Sequence, residues 1–360
     1  MEQLVALSRK LIAYDTSEPE AMHEAAGFLR GWLEARGFEA TEEGVRELPV
    51  LKAERGPEDA PTVVFHGHLD VVPGHPEQFD ARLEGDRLFG RGAYDMKGAL
   101  AAMLLAFCEA PVDDVRLRLG IVSDEESEEE VDRGSDHLVD TGFTGDFAIT
   151  GEPTDLHIGI QAKGVLAVRL GIHGVAAHGA TPWLGDNAVL KAIDVFRRIQ
   201  SLPFASESSE LFDRPSINLG RIIGGDALNK VPDRCVIDVD IRYLPTQDPR
   251  AVLEQIRGLA DTEVVATFTR APAVVDPDSV YVRALHDAAA PFHGGTAGSV
   301  GRDGASDAVS FLRAGIPAVE FGPTGGGHHG PEEWVSIDSL RSYQDALSGF
   351  LKELPQYLEG

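Results

Sequence analysis

The stretch "VRLRLGIVSDEESEEEVD", residues 115–132, joins an apolar run to a dense group of acidic side chains. The run at 115–122 has the apolar character of a buried β-strand, and it leads directly into "DEE" at 124–126. Because an acidic helix face in solvent needs no buried strand before it, we expect "DEE" to take part in chemistry. The following "SEEEVD" (127–132) is most simply a solvated surface, since acids are favoured in the first turn of a helix.

Other apolar runs have the same character, namely "TVVF" (62–65), "DFAIT" (146–150) and "IPAVEF" (316–321). Helical patterns lie between or after these runs, for example at 97–109 and 304–314. Continuous apolar strands that alternate with helices are typical of a mostly parallel sheet covered by helices. We therefore predict an α/β fold for the larger part of the chain.

The middle of the chain follows another pattern. Its predicted elements run strand, helix, strand, strand, helix, strand, at 164–173, 187–201, 216–223, 234–244, 249–260 and 263–270. This βαββαβ order describes a compact α+β unit of ferredoxin-like size. A chain of 360 residues also exceeds the size at which one hydrophobic core usually stops growing. We predict an inserted domain at 164–272 within a discontinuous larger domain formed by 1–163 and 273–360.

The amino-acid composition and net charge argue against some classes of binding partner. The net charge of −27, from 59 acidic and 32 basic residues, argues against binding to nucleic acid or to anionic membranes, and it suits a salt-rich environment. No secretory signal is visible, and the longest apolar run, 99–108, is too short to span a bilayer. Cys108 and Cys235 lie far apart in apolar stretches, as expected of buried thiols in a reducing cytoplasm. We expect a soluble cytoplasmic protein.

Metal-binding residue types follow each of the four apolar runs within a few positions: His68 and Asp70, Asp124 to Glu126, Glu152, and His328 and His329. Sites in open α/β sheets form at the carboxyl ends of the strands, so we expect these side chains to meet. Two imidazoles with several carboxylates suit zinc or a similar divalent ion. A pair of such ions can share a carboxylate and a water, lower the pKa of that water and polarise a carbonyl. Asp70 lies two residues after His68 on the same side of extended backbone, where it can hold the far imidazole N–H.

Five motifs extend this pattern, in the order "VVFHGHLDVVPG" (63–74), "LFGRGAYDMKGALAAM" (88–103), "IVSDEE" (121–126), "ITGEPT" (149–154) and "GPTGGGHHGPEEWV" (322–335). With them the chain resembles the acetylornithine deacetylase, succinyl-diaminopimelate desuccinylase and carboxypeptidase G family of di-zinc amidohydrolases and exopeptidases. The resemblance covers nearly the whole chain. It implies a catalytic domain of the zinc-exopeptidase type, with the inserted ferredoxin-like domain serving as lid and dimerisation domain.

The resemblance also implies which residues hold two divalent ions. His68 and Glu152 bind the first ion, Glu126 and His329 bind the second, and Asp95 in "GAYDMKG" bridges both. Zinc is the ion that the family uses most, and cobalt or manganese would fit the same ligands.

Catalytic roles follow from the same resemblance. Glu125 is the general base, which takes a proton from the water and later returns it to the leaving amine. Asp70 orients His68. Neither periodicity nor spacing alone distinguishes Glu125 from Glu126.

The inserted domain carries a second set of residues. His178, in "HGVAAHGATPWLGDNA" (173–188), matches the family's donor to the developing oxyanion. In dimeric relatives this histidine reaches the active site of the neighbouring subunit, so the resemblance implies a homodimer formed through the lid. Asn229 and Arg242 match positions that bind the substrate carboxylate or support the oxyanion, and arginine suits bidentate carboxylate binding. The alternative for these two residues is a turn cap and a surface ion pair.

Several histidines have competing interpretations. One of the adjacent residues His328 and His329 is expected to be a bystander. We favour His329 as the ligand, because it lies four residues before Glu333 and so matches the form H-x-x-[D/N/E]-E. His66 is interpreted as a structural neighbour.

The glycine-rich segment "GGTAGSVGRDG" (294–304) lacks the Gly-Lys-[Ser/Thr] ending of a phosphate loop. We interpret it as an active-site loop that supplies backbone amides, followed by "GASDA" (304–308), which matches the family's "GTSD" segment. Several relatives continue with Gly-Arg, whereas Ala308 and Val309 follow here, and Arg302 could substitute. This departure concerns the substrate and leaves the metal site unaffected.

The predicted activity is hydrolysis of the amide bond of an N-acyl amino acid, of the N-succinyl-diaminopimelate or N-acetylornithine type used in amino-acid biosynthesis. A dipeptidase or carboxypeptidase of the same family would share every catalytic residue, so short peptides are the alternative substrates. A metal-binding protein without catalysis is disfavoured, because the base and all five ligands are present.

Overall fold

The computed structural model describes residues 2–127, 132–293 and 298–359. Most of the "SEEEVD" surface prediction, at 128–131, and part of the glycine-rich loop prediction, at 294–297, lie outside the described residues. The chain consists of two compact units. The first comprises Met1–Ile160, Val275–Val300 and Asp307–Gly360, and the second comprises Gln161–Val274 and Gly301–Ser306.

The α-helices of the described residues are α1 (Glu2–Ile12), α2 (Pro19–Glu34), α3 (Gly98–Glu109), α4 (Gly134–Asp140), α5 (Ala188–Ile199), α6 (Pro249–Arg257), α7 (Val280–Ala289), α8 (Ala308–Arg313) and α9 (Ile337–Glu359). The β-strands are β1 (Ala40–Val45), β2 (Leu48–Arg55), β3 (Thr62–His68), β4 (Arg82–Glu84), β5 (Arg87–Phe89), β6 (Arg116–Val122), β7 (Phe147–Thr150), β8 (Ile158–Ala162), β9 (Gly164–His173), β10 (Ser216–Gly224), β11 (Arg234–Tyr243), β12 (Thr262–Arg270), β13 (Ala273–Val274), β14 (Ser299–Arg302), β15 (Ala318–Glu320), β16 (Gly325–Gly326) and β17 (Trp334–Ser336).

The sheet of the first unit has a parallel centre. Six of its strands lie in the order β1-β2-β6-β3-β7-β15, and the neighbours from β6 to β15 are all parallel. Strand β8 follows β15 with antiparallel pairing. The four parallel strands correspond to the four apolar runs of the sequence, and their continuous apolar character reflects burial on both faces. The predicted α/β fold with a mostly parallel sheet is therefore confirmed.

Helix α3 is the most deeply buried helix of the first unit among the described residues. All positions from Gly98 to Phe107 are buried, because the sequence "GALAAMLLAF" has no polar side chain to expose. The helix contacts α1, α9 and β3. Its first residue, Gly98, directly follows the segment that carries Asp95, so the position of Asp95 is tied to the core.

The second unit contains a four-stranded antiparallel sheet in the order β10-β11-β9-β12. Along β11 the burial alternates, as expected when one face of a sheet packs on a core. Helices α5 and α6 supply the other side of that core, including Ala192, Val195 and Ile256. The chain order β9-α5-β10-β11-α6-β12 is the predicted βαββαβ order.

The structure also bears on the membrane and cysteine predictions. Within residues 2–127, 132–293 and 298–359, each helix is either too short or too polar to cross a bilayer. Both cysteines are free thiols, with Cys235 buried and Cys108 half-buried. Burial raises the pKa of the Cys108 thiol to about 11, so the thiol is a poor nucleophile at neutral pH.

Candidate active site

Parallel strands bring the predicted ligands to one edge of the sheet in the first unit. His68 is the last residue of β3, Glu126 lies four residues after the end of β6, and Glu152 lies two residues after the end of β7. Pairing continues past the strand ends, since the Leu69 N–H donates to the carbonyl of Val122 at 2.8 Å. The predicted meeting place at the carboxyl ends of the strands is therefore present in the structure.

A first group of possible ligands consists of His68, Asp95 and Glu152. Their ligand atoms all lie within 4.8 Å of one another. Nε2 of His68 is 3.1 Å from Oδ1 of Asp95 and 3.6 Å from Oε1 of Glu152. This is the set of three residues that the family resemblance assigned to the first metal ion.

A second group surrounds the other oxygen of Asp95. Nε2 of His328 is 2.5 Å from Asp95 Oδ2, and Nε2 of His329 is 3.5 Å from the same oxygen. Nε2 of His329 is also 2.9 Å from Oε1 of Glu126. The two oxygens of Asp95 thus face different imidazoles, which is the arrangement that a bridging carboxylate requires.

His328 lies closer to the site than the bystander role implies, because its ring contacts Asp95 directly. Only His329, however, contacts both Asp95 and Glu126. The sequence did contain a sign that both histidines could contact the site, because the two residues are adjacent. Two neighbouring residues on an irregular loop can both turn toward one carboxylate.

Asp70 contacts His68 mainly through its backbone. Nδ1 of His68 is 3.0 Å from the carbonyl oxygen of Asp70 and 3.5 Å from Oδ1 of the Asp70 carboxylate, which is long for a hydrogen bond. The other carboxylate oxygen, Oδ2, accepts a hydrogen bond of 2.7 Å from the Glu126 N–H. The Asp70 carbonyl therefore faces the His68 ring, while the Asp70 carboxylate ties the "DEE" segment to the end of β3.

Comparison with known proteins identifies the family. The family model described as "Peptidase family M20/M25/M40" matches residues 64–353. The chain belongs to this family. A succinyl-diaminopimelate desuccinylase from Caulobacter sp. (strain K31) is 30% identical and is aligned over 94% of this chain and 92% of its own length.

Solved structures share the fold. A tripeptidase from Staphylococcus aureus subsp. aureus Mu50 has a TM-score of 0.82 at 19% identity, covering 99% of this chain and 98% of its own. The M20 family metallo-carboxypeptidase Sso-CP2 from Sulfolobus solfataricus has a TM-score of 0.80 at 21% identity, covering 99% and 100%. As a member of the M20/M25/M40 family, the chain is a metal-dependent hydrolase that acts on amide bonds.

Burial of several acids makes this site suitable for divalent cations. Burial raises the pKa of Glu125 to about 8, and it also raises the pKa of Glu152 well above the usual value, with a further contribution from Asp95. Burial disfavours a charged ring at His68, but hydrogen bonding to nearby carboxylates outweighs this effect and raises the pKa of His68 well above the usual value. Cations among these groups would stabilise ionised acids and neutral imidazoles, so the residues present fit the metal ions of an M20 enzyme.

The loop that carries Glu125 is held by buried polar contacts. Nη1 of Arg133 donates to the Glu125 carbonyl at 3.1 Å, and its Nη2 donates to the Ser127 carbonyl at 3.3 Å. Asp124 accepts from the Gly134 N–H at 2.9 Å and from Arg46 at 2.8 Å. The first acid of "DEE" is therefore a structural anchor for the two acids that follow it.

His66 and Asp307 form part of the same support. Nε2 of His66 lies 3.3 Å from Oγ of Ser135 and 3.7 Å from Oδ2 of Asp307, and Ser135 donates to that same oxygen of Asp307. All three residues are buried. The interpretation of His66 as a structural neighbour agrees with these contacts, and the "GASDA" motif contributes Asp307 to them.

The predicted substrate-binding residues lie in the second unit. His178 is exposed, and its Nδ1 accepts from the Ala180 N–H at 3.0 Å. The neighbouring Gly179 donates to the carbonyl of Asn229 at 2.7 Å, so the two motifs lie side by side. Arg242 donates through Nε to Asp240 at 3.0 Å, which is the ion pair of the alternative interpretation.

The contacts of the two neighbouring histidines lead to a testable difference. If a metal ion binds beside Asp95 and Glu126, as the resemblance implies, we expect His329→Ala to weaken its binding by at least the roughly 10- to 100-fold cost of losing a residue that only supports a ligand, because the substitution removes a ring that faces both carboxylates. His328→Ala should have a smaller effect. Calorimetric titration of metal-free protein with zinc would compare the two variants, with the exposed His23→Ala as control. A larger loss in His328→Ala than in His329→Ala would reverse the assignment.

Proposed function

We propose that this enzyme hydrolyses the amide bond of an N-acyl amino acid, with N-succinyl-diaminopimelate or N-acetylornithine as the substrate type. The observation that carries the proposal is the shared position of Asp95 between two groups of ligands. Its Oδ1 lies beside His68, and its Oδ2 lies beside His328 and His329. This arrangement supports two metal ions with zinc as the first choice, and cobalt or manganese as ions that suit the same donors.

The chain's own residues divide the chemical work. When bound, the metal ions would lower the pKa of a water and polarise the substrate carbonyl. Glu125 takes the proton of the attacking water and delivers it to the leaving amine. The Glu125 side chain is half-buried, and its raised pKa lets it hold a proton near neutral pH, which supports the acid part of this role. The base part requires the ionised carboxylate, which bound cations would favour.

The second unit supplies the remaining functions of the proposal. We assign the role of lid to this unit, which contains the inserted domain predicted at 164–272. His178 would donate to the developing oxyanion, and Asn229 and Arg242 would bind the substrate carboxylate. His178 is exposed, and the neighbouring Gly179 N–H donates to the carbonyl of Asn229. These features support ligand binding by His178 and Asn229 more than a role in packing the core.

We also propose a homodimer that forms through this second unit. Strand β10 is an edge strand of its sheet, and it exposes Ile222 and Ile223. Helix α5 contacts β10 and exposes Leu190, which is 61% accessible. An edge strand with exposed apolar side chains favours pairing with a second chain.

Replacement of Glu125 tests the proposed base. We expect Glu125→Gln to lower kcat by about 10²- to 10⁴-fold, because the amide cannot accept the proton of the water. The metal content of the variant should stay at the wild-type value, since Glu125 is not among the proposed ligands. Exposed Glu58→Gln serves as the control for loss of an acidic group. Wild-type turnover by Glu125→Gln would exclude this residue as the base.

A comparison of substrates tests the reaction. We expect kcat/KM for N-succinyl-diaminopimelate or N-acetylornithine to exceed the values for dipeptides measured side by side. Activity should disappear after chelation and return when zinc, cobalt or manganese is added. Faster cleavage of dipeptides would identify a peptidase instead, and no turnover of either substrate class by the metal-loaded protein would contradict both substrate assignments. Full activity of the metal-free protein would contradict the metal-dependent mechanism.

Substitution on the edge strand tests the dimer. We expect Ile223→Glu to convert the dimer to a monomer in sedimentation equilibrium, because it places a charge in the apolar contact. Val265→Glu is a matched control, since Val265 is also exposed but lies on β12 at the opposite edge of the same sheet. Equal dissociation of both variants would argue against an interface formed by β10.

A further inference from the structure

Arg91 and Glu333 form a buried ion pair that contacts the backbones of two candidate ligands. Nη1 of Arg91 lies 2.7 Å from Oε2 of Glu333, and the two residues are 3% and 1% exposed. Removal of both charges from water is costly, and a buried pair is often replaced by apolar side chains without loss of stability. The contacts of this pair therefore need an explanation other than stability.

Glu333 binds the backbone of the segment that carries the shared carboxylate. Its Oε1 accepts from the N–H of Tyr94 at 3.0 Å and from the N–H of Asp95 at 3.1 Å. The Asp95 backbone lies in an irregular turn, with φ −122° and ψ 99°, so neighbouring helical hydrogen bonds do not fix it. The carboxylate of Glu333 fixes it instead.

Arg91 binds the backbone of a ligand from the other group. Its Nη2 donates to the carbonyl of His329 at 3.2 Å and lies 3.5 Å from the carbonyl of Pro73. His329 has φ +58°, a left-handed conformation that is uncommon for residues other than glycine. Such a conformation persists where its surroundings hold it, and the guanidinium of Arg91 is one of the groups that does so.

We propose that Arg91 and Glu333 are positioning residues that set the distance between Asp95 and His329, and thereby control the occupancy of the second metal ion. This inference rests on the proposed two-metal function. The pair connects the two ligands through their backbones, with the ion pair as the middle of the connection. Arginine suits this task because its planar fork presents one nitrogen to a carboxylate and another to a carbonyl, whereas lysine offers a single charged point.

The two partners should differ in their effect on metal binding. Arg91 contacts the His329 backbone, which belongs to the second group alone. Glu333 contacts the Asp95 backbone, and Asp95 belongs to both groups. Loss of the Arg91 contacts should therefore weaken one ion, whereas a change at Glu333 should weaken both.

The experiment is a calorimetric titration of metal-free enzyme with zinc, together with the zinc content after dialysis. We expect Arg91→Lys to weaken the second ion by about 10- to 100-fold, the usual effect of losing a residue that supports a metal ligand, with the first ion close to wild type. Glu333→Gln should weaken both ions, since Gln keeps one acceptor but turns an amide toward Arg91. Two ions per wild-type chain with this asymmetry in the variants would support the proposal.

Two controls separate positioning from general stability. Arg116→Lys changes a half-buried arginine that pairs with Glu54 in the same unit, and it should bind both ions like wild type. Leu285→Ala removes a buried side chain of α7 and should lower Tm with both ions still bound. If Arg91→Lys and Glu333→Gln bind two ions with wild-type affinity while their Tm falls, the pair is structural and the inference is wrong. If the wild-type enzyme itself binds fewer than two ions, the proposed two-metal function fails together with the inference.

Discussion

The carboxylate of Asp95 has two oxygens, and the candidate ligands are arranged around them. Oδ1 lies 3.1 Å from the ring of His68, and Oδ2 lies 2.5 Å from the ring of His328. Burial raises the cost of ionising this carboxyl group, but hydrogen bonds from the surrounding imidazoles outweigh that cost and hold the pKa of Asp95 well below its usual range. A carboxylate that stays ionised while buried attracts positive charge from both sides, and a bridging ligand needs this property. Small shifts of the Asp95 backbone would move both of its oxygens relative to their partners at once.

The fold provides the stable frame that this carboxylate requires. Asp95 is followed by α3, a helix buried on all sides, while His68 and Glu152 follow adjacent parallel strands. Buried strands and a buried helix fluctuate little, because each packs against many apolar neighbours. The second group is different, since His328 and His329 lie on an irregular, partly exposed loop between β16 and β17. His68 and Glu152 are therefore positioned by the core, whereas Asp95 and the second group also depend on side-chain contacts to the backbone.

This difference explains how far the sequence predicts the structure. The four apolar strands and the βαββαβ order are visible in the sequence for a physical reason. Burial on both faces of a strand requires a continuous apolar run, and burial on one face requires apolar residues at alternate positions. The β1–β2 hairpin was not predicted: its strands contain runs of charged residues, and its turn places Arg46 and Glu47 at positive φ without the glycine or asparagine that usually marks such a turn. The Arg91–Glu333 pair was also outside prediction from spacing, since its contact joins positions 242 residues apart along the chain. His328 was among the candidate ligands but was interpreted as the bystander of the two histidines, whereas its ring contacts Asp95. The assignment of the five ligands came from the resemblance of whole motifs to a family, and residue spacing alone did not separate Glu125 from Glu126.

The contrast between buried and exposed site residues bears on how substrate choice can change within such an enzyme. His68 and Asp95 are nearly inaccessible, and each contacts several other polar groups, so a substitution there disturbs the whole cluster. His178 and Asn229 lie on the surface of the second unit, where a substitution leaves the core packing unchanged. Function depends on sites placed on a fold rather than on the fold itself. If the exposed residues recognise the acyl amino acid as proposed, evolution can alter the substrate by changing surface loops of the second unit while the buried carboxylate and its imidazoles remain as they are.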